Sequence, residues 1–303
     1  MLIEPWFVLT MVAVFGYGIS DGLYKQFLDE SITVSRFCLY SVPITIVVYG
    51  YYFLTNEHAP PFAPEGREFM FYVILAATLE NAAWILSFEA LVSGPISIIA
   101  PVCAAYPAVT AVLIFLDARF THLLDETLSP HQYLGVALVV IGCMGIAYEP
   151  STPTEKPARR FLGIPIWFIE CVLAAILWGI GGMMDGWVYE LPNASEANFA
   201  LFAGIATALA LLFYGLIQER EWKFPPIKEP LQAFIPLGLN AVGDVAIMVA
   251  YNMGPATLVT TLSAASIPIT LVYAFIILSE RLNRFQWTCI TLTFIGAILC
   301  SGP

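Results

Sequence analysis

The stretch Ala90-Leu91-Val92-Ser93-Gly94-Pro95 has a counterpart 160 residues further on, Ala250-Tyr251-Asn252-Met253-Gly254-Pro255. In each copy a long apolar run stops at a Gly-Pro break and a second apolar run follows directly. Such a pair reads as a tight turn that caps one helix before the next begins. Other features repeat around it in the same order. Tyr17-Gly18 falls on Trp178-Gly179, Pro107 meets Pro268 after a one-residue gap, Glu126-Thr127-Leu128 matches Glu280-Arg281-Leu282, and Gly142 matches Gly296. One such match is cheap, but a shared order along the whole chain signals an internal duplication, a frequent property of transporter folds.

Of the 303 residues, 59% are hydrophobic and 12% charged, with a mean hydropathy of +0.80. An ordinary soluble domain carries about 25% charged residues. The surplus of apolar side chains needs lipid as its solvent, and a helix crosses the hydrocarbon core in about 20 mostly apolar residues. Runs of that kind lie near 5–25, 37–54, 69–90, 96–117, 131–148, 163–188, 196–217, 231–251, 257–278 and 285–301, ten in all. The expected fold is all-α, a polytopic membrane protein with ten transmembrane helices in two five-helix repeats, 1–148 and 163–303, joined by a linker at 149–162. Five is odd, so the second repeat enters the membrane from the opposite face and the repeats are inverted.

Ten of the twelve Lys and Arg fall in the first, fifth, seventh and ninth loops, leaving only Arg67 and Arg119 opposite. Basic short loops stay cytoplasmic, which places both termini outside a plasma or inner membrane and the linker inside. The first apolar run starts at Pro5 with no basic segment ahead of it, so it reads as a retained helix.

Several functions are disfavoured. A net charge of −11 lacks the basic footprint of a nucleic-acid partner. The six cysteines sit in apolar runs without paired spacing, so neither disulfide, metal nor cofactor chemistry is indicated. His58, His122 and His131 fall in loops or at a span edge, and no His-x-x-x-His pair or nucleophile motif marks an intramembrane enzyme. A sensor or assembly subunit would want a soluble domain or a long tail.

The aromatic-Gly pairs Tyr17-Gly18 and Trp178-Gly179, the turns ending at Gly94 and Gly254, and the acidic starts at Glu126 and Glu280 resemble the drug/metabolite transporter superfamily in its two-repeat, EamA-domain form. Tyr17 stands where a Trp is usual, and the loop Asp117–Ser129 is longer than its counterpart. The resemblance implies a secondary transporter with a central cavity between the halves, lined mostly by the first, third and fourth helices of each repeat. It implies no substrate.

Carboxylates at a helix centre cost roughly 2.5–3.5 kcal/mol, which singles out Glu80 and Asp244. At the repeat shift Glu80 aligns with Asn240, and Trp84 with Asp244, so both polar sites fall on equivalent helices. These four, with the rings of Tyr17 and Trp178, are the candidates for binding a substrate or a proton. Pro101, Pro107 and Pro268 interrupt the fourth span of each half and are candidate gating positions. Asp21 and Lys25 are placed to satisfy each other, Glu170 and Asp185 to reach the interface, and Trp6, Trp167 and Trp287 to anchor it. Gly135, Gly142 and Gly296 permit close helix approach, either within the chain or across a homodimer.

The acidic, cation-poor interior points to small amines, amino acids or other cationic or zwitterionic metabolites, exported or exchanged and coupled to protons. Anionic phosphate esters would want Lys or Arg. The alternative is an uptake transporter or a carrier of neutral, hydrophobic metabolites. The partners expected are a small-molecule substrate and membrane lipid.

Overall fold

The computed structural model describes residues 4–30, 32–94, 96–120, 128–148, 160–162, 164–219, 228–279 and 282–300. Glu126, Glu280 and most of the expected linker lie outside the described residues. The first half folds as α1 (Pro5–Glu30), α2 (Val34–Thr55), α3 (Arg67–Ser93), α4 (Ile96–Cys103), α5 (Tyr106–Phe120) and α6 (Pro130–Tyr148). The second repeats the series as α7 (Ile166–Trp187), α8 (Glu196–Gln218), α9 (Lys228–Met253), α10 (Ala256–Ser263), α11 (Ser266–Ile276) and α12 (Arg284–Cys300). In each half the fourth span is made of two short helices, so among the described residues twelve α-helices give the ten expected spans. Among the described residues seven segments are long and apolar enough to cross a membrane, and three shorter apolar ones complete the set.

Helix is the form that lets each backbone group find its partner inside its own segment, as lipid demands. The second helix of each half opens on a hydroxyl cap: Thr33 Oγ1 accepts from the Arg36 amide and Ser195 Oγ from the Asn198 amide. One element was not expected. Arg160–Phe161 and Ile164–Pro165 form a small antiparallel hairpin, and α7 starts at Ile166, three residues later than the sequence indicated, because Pro165 takes the N-cap position.

The halves are interleaved. α1 packs on α9 and α11, α7 packs on α3 and α5, α2 meets α8, and α6 meets α12. Exchanging the halves turns each pairing into another member of the set, so the main helix contacts run between repeats and obey a two-fold relation. The loops sort as inversion requires. At one end Arg36, just after the first loop, pairs with Glu219 and Glu229 beside the seventh, at 3.1 and 3.3 Å. At the other, the Asn198 side-chain Nδ2 donates to Ala59 O at 3.3 Å, bringing the second and sixth loops together. Val47, Phe115, Leu216 and Ile217 are among many large apolar side chains facing outward, the surface expected of a protein solvated by acyl chains.

The glycines of α6 find their close contact within the chain. Gly135 sits against Gly296 and Cys300, and Gly142 against Cys289 and Thr293, all on α12.

Candidate functional site, a carboxyl-lined cavity between the halves

A cavity of about 240 Å³ lies where α1, α3, α7 and α9 converge, and the broken fourth spans close it. Each of those four helices contributes one carboxyl: Asp21 from α1, Glu80 from α3, Asp185 from α7 and Asp244 from α9. Among the described residues that line it there is no Lys, Arg or His. Tyr17, Tyr49, Trp84, Tyr106, Trp178 and Tyr251 supply aromatic wall.

All six residues picked out by intramembrane cost and repeat position, Tyr17, Glu80, Trp84, Trp178, Asn240 and Asp244, line this one cavity. Asp244 is the most fully dressed. The Tyr17 hydroxyl donates to its Oδ1 at 2.8 Å, and the Asn240 amide, one turn earlier on α9, donates to Oδ2 at 2.9 Å. The Tyr17–Asp244 bond crosses from one half to the other.

The aromatic-Gly pair that repeats in sequence does two jobs. Gly18 lets α11 come close: a Cβ there would lie 2.5 Å from Ile269 Cβ, and Thr270 Oγ1 donates to the Gly18 carbonyl at 3.2 Å. Gly179 takes α5 in the same way, with Val109 against it and Thr110 Oγ1 donating to its carbonyl at 2.9 Å. With the glycine turned to the neighbouring helix, the preceding ring of Tyr17 or Trp178 is left to face the cavity.

Two carboxyls were misplaced by the sequence reading. Asp185 does not reach the interface. It is 4% exposed, its Oδ1 has no hydrogen-bond partner, and it lies on the face of α7 that carries Gly181, Gly182 and Gly186. That small-residue run was the available signal, since it marks a helix face pressed against a neighbour. Glu80 lies directly against Gly181, and Asp185 follows one turn later, close enough for the two carboxyls to interact. Asp21 lines the cavity one turn after Tyr17, while Lys25 reaches across to the end of α3 and donates to Leu91 O at 2.7 Å and Gly94 O at 3.3 Å. A cation there satisfies carbonyls that a helix C-terminus leaves open.

The fourth spans are interrupted as expected, and Pro107 and Pro268 stand just after the breaks. The breaks fall at Ala104-Ala105 and Ala264-Ala265, 160 residues apart. Pro107 and Pro268 stand in the first turns of α5 and α11, where a missing N–H costs nothing, so they start helices instead of interrupting them. Pro101 belongs to α4, and its side chain is outside the described residues. The second segments bring Tyr106 and Ser266 to the cavity, and the Tyr106 hydroxyl is hydrogen bonded to Ser263 Oγ of α10.

Trp6 and Trp167 are buried rather than anchored at the interface. Trp167 lies over Gly94 and Trp6 over Gly254, each on the opposite half. Gly94 has an extended backbone (φ −132°), so what the position requires is the absent Cβ, which would sit 2.8 Å from the Trp167 ring. Trp287, 41% exposed, keeps the orientation of an interfacial residue.

Two inverted five-span halves closing on a shared, acidic, membrane-embedded cavity define a polytopic membrane protein built on transporter lines. The sequence profile of the EamA-like transporter family matches residues 4–148 and again 165–302, and the chain belongs to that family, of the drug/metabolite transporter type. A solved structure described only as the crystal structure of a protein superposes over 99% of this chain and 97% of its own, with a TM-score of 0.68 at 14% identity, a likeness of fold. No curated protein matches the sequence.

Proposed function

We propose that the protein is a secondary transporter that exports or exchanges a small cationic or zwitterionic amine by alternating access to the central cavity. The observation that carries this reading is the set of four carboxyl residues lining a cavity that holds no described basic residue. In a low-dielectric site an opposite charge is attracted far more strongly than in water, and the facing rings add cation–π attraction. An organic phosphate would meet repulsion there. Asp244, oriented by Tyr17 and Asn240, is the recognition point for the ammonium group, with Trp84 and Trp178 as walls. The Trp167–Gly94 and Trp6–Gly254 contacts are the plugs that part in turn as the halves rock.

The distribution of basic loops supports an orientation with both termini outside and the 149–162 linker in the cytoplasm. A reporter fused to the C-terminus reads that orientation directly.

The deciding experiment loads vesicles containing the purified protein with pooled metabolites and follows which are exchanged, with and without a pH gradient. Amines and amino acids should move. Exchange of organic phosphates with amines left behind would reverse the substrate class.

A further inference from the structure

The four carboxyls are not equivalent. Asp244 has both oxygens engaged by neutral donors, whereas Asp185 is buried with Oδ1 unpartnered and lines the cavity together with another carboxyl, Glu80, across the α3–α7 seam. The repeat does not impose this. At the shift of about 160, Glu80 and Asp185 correspond to Asn240 and Tyr24, a pair with no charge. At these equivalent positions, among the described residues, the α3–α7 seam carries two carboxyls and the α9–α1 seam none.

We propose that Glu80 and Asp185 together form a single-proton site, distinct from the amine site at Asp244, that links the two halves of the transporter. A proton is the ligand that two adjacent carboxyls can share. Binding converts one carboxylate to an acid whose O–H is donated to the other; release returns the proton to water through the cavity, and nothing is oxidised or reduced. Asp244 and Tyr251 of α9, Tyr49 of α2, Asp21 and Tyr17 of α1, Cys103 of α4 and Tyr106 of α5 line the same cavity, Tyr189 lies beyond α7, and among these described groups none brings a positive charge.

The placement gives the proton mechanical leverage. α3 belongs to the first half and α7 to the second, so a shared proton bonds the halves and its loss sets two like charges against each other. Gly181 keeps the seam tight, because a Cβ there would come 2.6 Å from Glu80 Cγ. The use of this site in coupling rests on the transporter reading; its existence does not.

The test needs no substrate. The full-length protein, purified into lipid nanodiscs, is titrated with acid while infrared absorption follows protonated carboxyl groups. Glu80→Gln and Asp185→Asn should each move one titration step by about one pH unit or more, the mark of strongly interacting sites, and the double variant should lose it. Gly181→Ala, which keeps both carboxyls but displaces Glu80, should move the same step, and Asp244→Asn should retain it. A step unmoved in either single variant or in Gly181→Ala, retained in the double variant, or lost in Asp244→Asn overturns the proposal. In vesicles, Asp185→Asn should flatten the pH dependence of amine exchange that the unaltered protein shows. Absence of any amine transport in the unaltered protein would count against the substrate reading and leave the nanodisc result standing.

Discussion

Asp244 illustrates what a single intramembrane carboxylate requires: two donors, one from the preceding turn of its own helix and one from the other half of the molecule. Removing a hydrogen bond to a charged group costs about 1.5–3 kcal/mol. Tyr17→Phe should therefore weaken amine binding about tenfold or more, and Asp244→Asn should weaken it further, as read by calorimetry with an amine found by the exchange assay. Equal affinity in both variants would remove Asp244 from recognition. At the cytoplasmic end expected from the charge distribution, Glu219 lies outside the spans and accepts from the Ser35 hydroxyl at 2.7 Å, with the Arg36 guanidinium 3.1 Å away. The Ser35 bond, reinforced by Arg36 against the effect of burial, holds its carboxyl below the usual carboxylate range. A depressed native value contributes stability above the unfolded pKa of about 4.3 that is lost as pH falls through the native one. Glu219→Gln should lower thermal stability by about 1 kcal/mol or less at neutral pH, and the gap should close below about pH 4. A gap that persists in acid would contradict this.

At the scale of elements, the broken fourth spans and the aromatic-Gly pairs belong together. Thr110 and Thr270, 160 residues apart, each donate to the carbonyl of the glycine in the facing half. Thr270→Val removes one such bond, an effect of about 1 kcal/mol. Gly18→Ala forces a methyl against Ile269 and should destabilise more, by about 1–3 kcal/mol. Unfolding midpoints in detergent should rank unaltered protein, Thr270→Val, Gly18→Ala in falling order; a Gly18→Ala protein as stable as the original would mean that α11 yields freely. The glycines were visible in the sequence as repeated marks, yet their purpose was not, since a glycine looks the same whether it serves a turn or a close helix crossing. The Gly94-Pro95 break looked like a turn, and the structure shows a glycine kept small by Trp167.

At the scale of the molecule, the two Trp-on-Gly contacts tie opposite halves at the two ends of the bundle. Cys103 lines the cavity between them and offers a native reporter of access. In a variant retaining only this cysteine, Trp6→Ala should raise labelling by a membrane-impermeant thiol reagent from the face that carries the termini, and Trp167→Ala from the opposite face. Bound amine should suppress both. The same change of labelling from both faces in either variant would show that the plugs do not act separately.

The number of spans, their grouping into two halves and the inversion followed from the sequence, because a backbone in lipid must be helical, a helix must be long enough to cross, and an odd count reverses direction. Glu80, Asn240 and Asp244 were also legible, since mid-membrane polarity is costly wherever the helix is packed. The partners of each helix were settled only by tertiary structure. Asp21 looked able to pair with Lys25, and Asp185 to reach the interface; α1 meeting α9 and α7 meeting α3 turned them inward. Depth in the membrane can be counted along a chain, whereas the direction a side chain faces among ten spans depends on which neighbours fit against it.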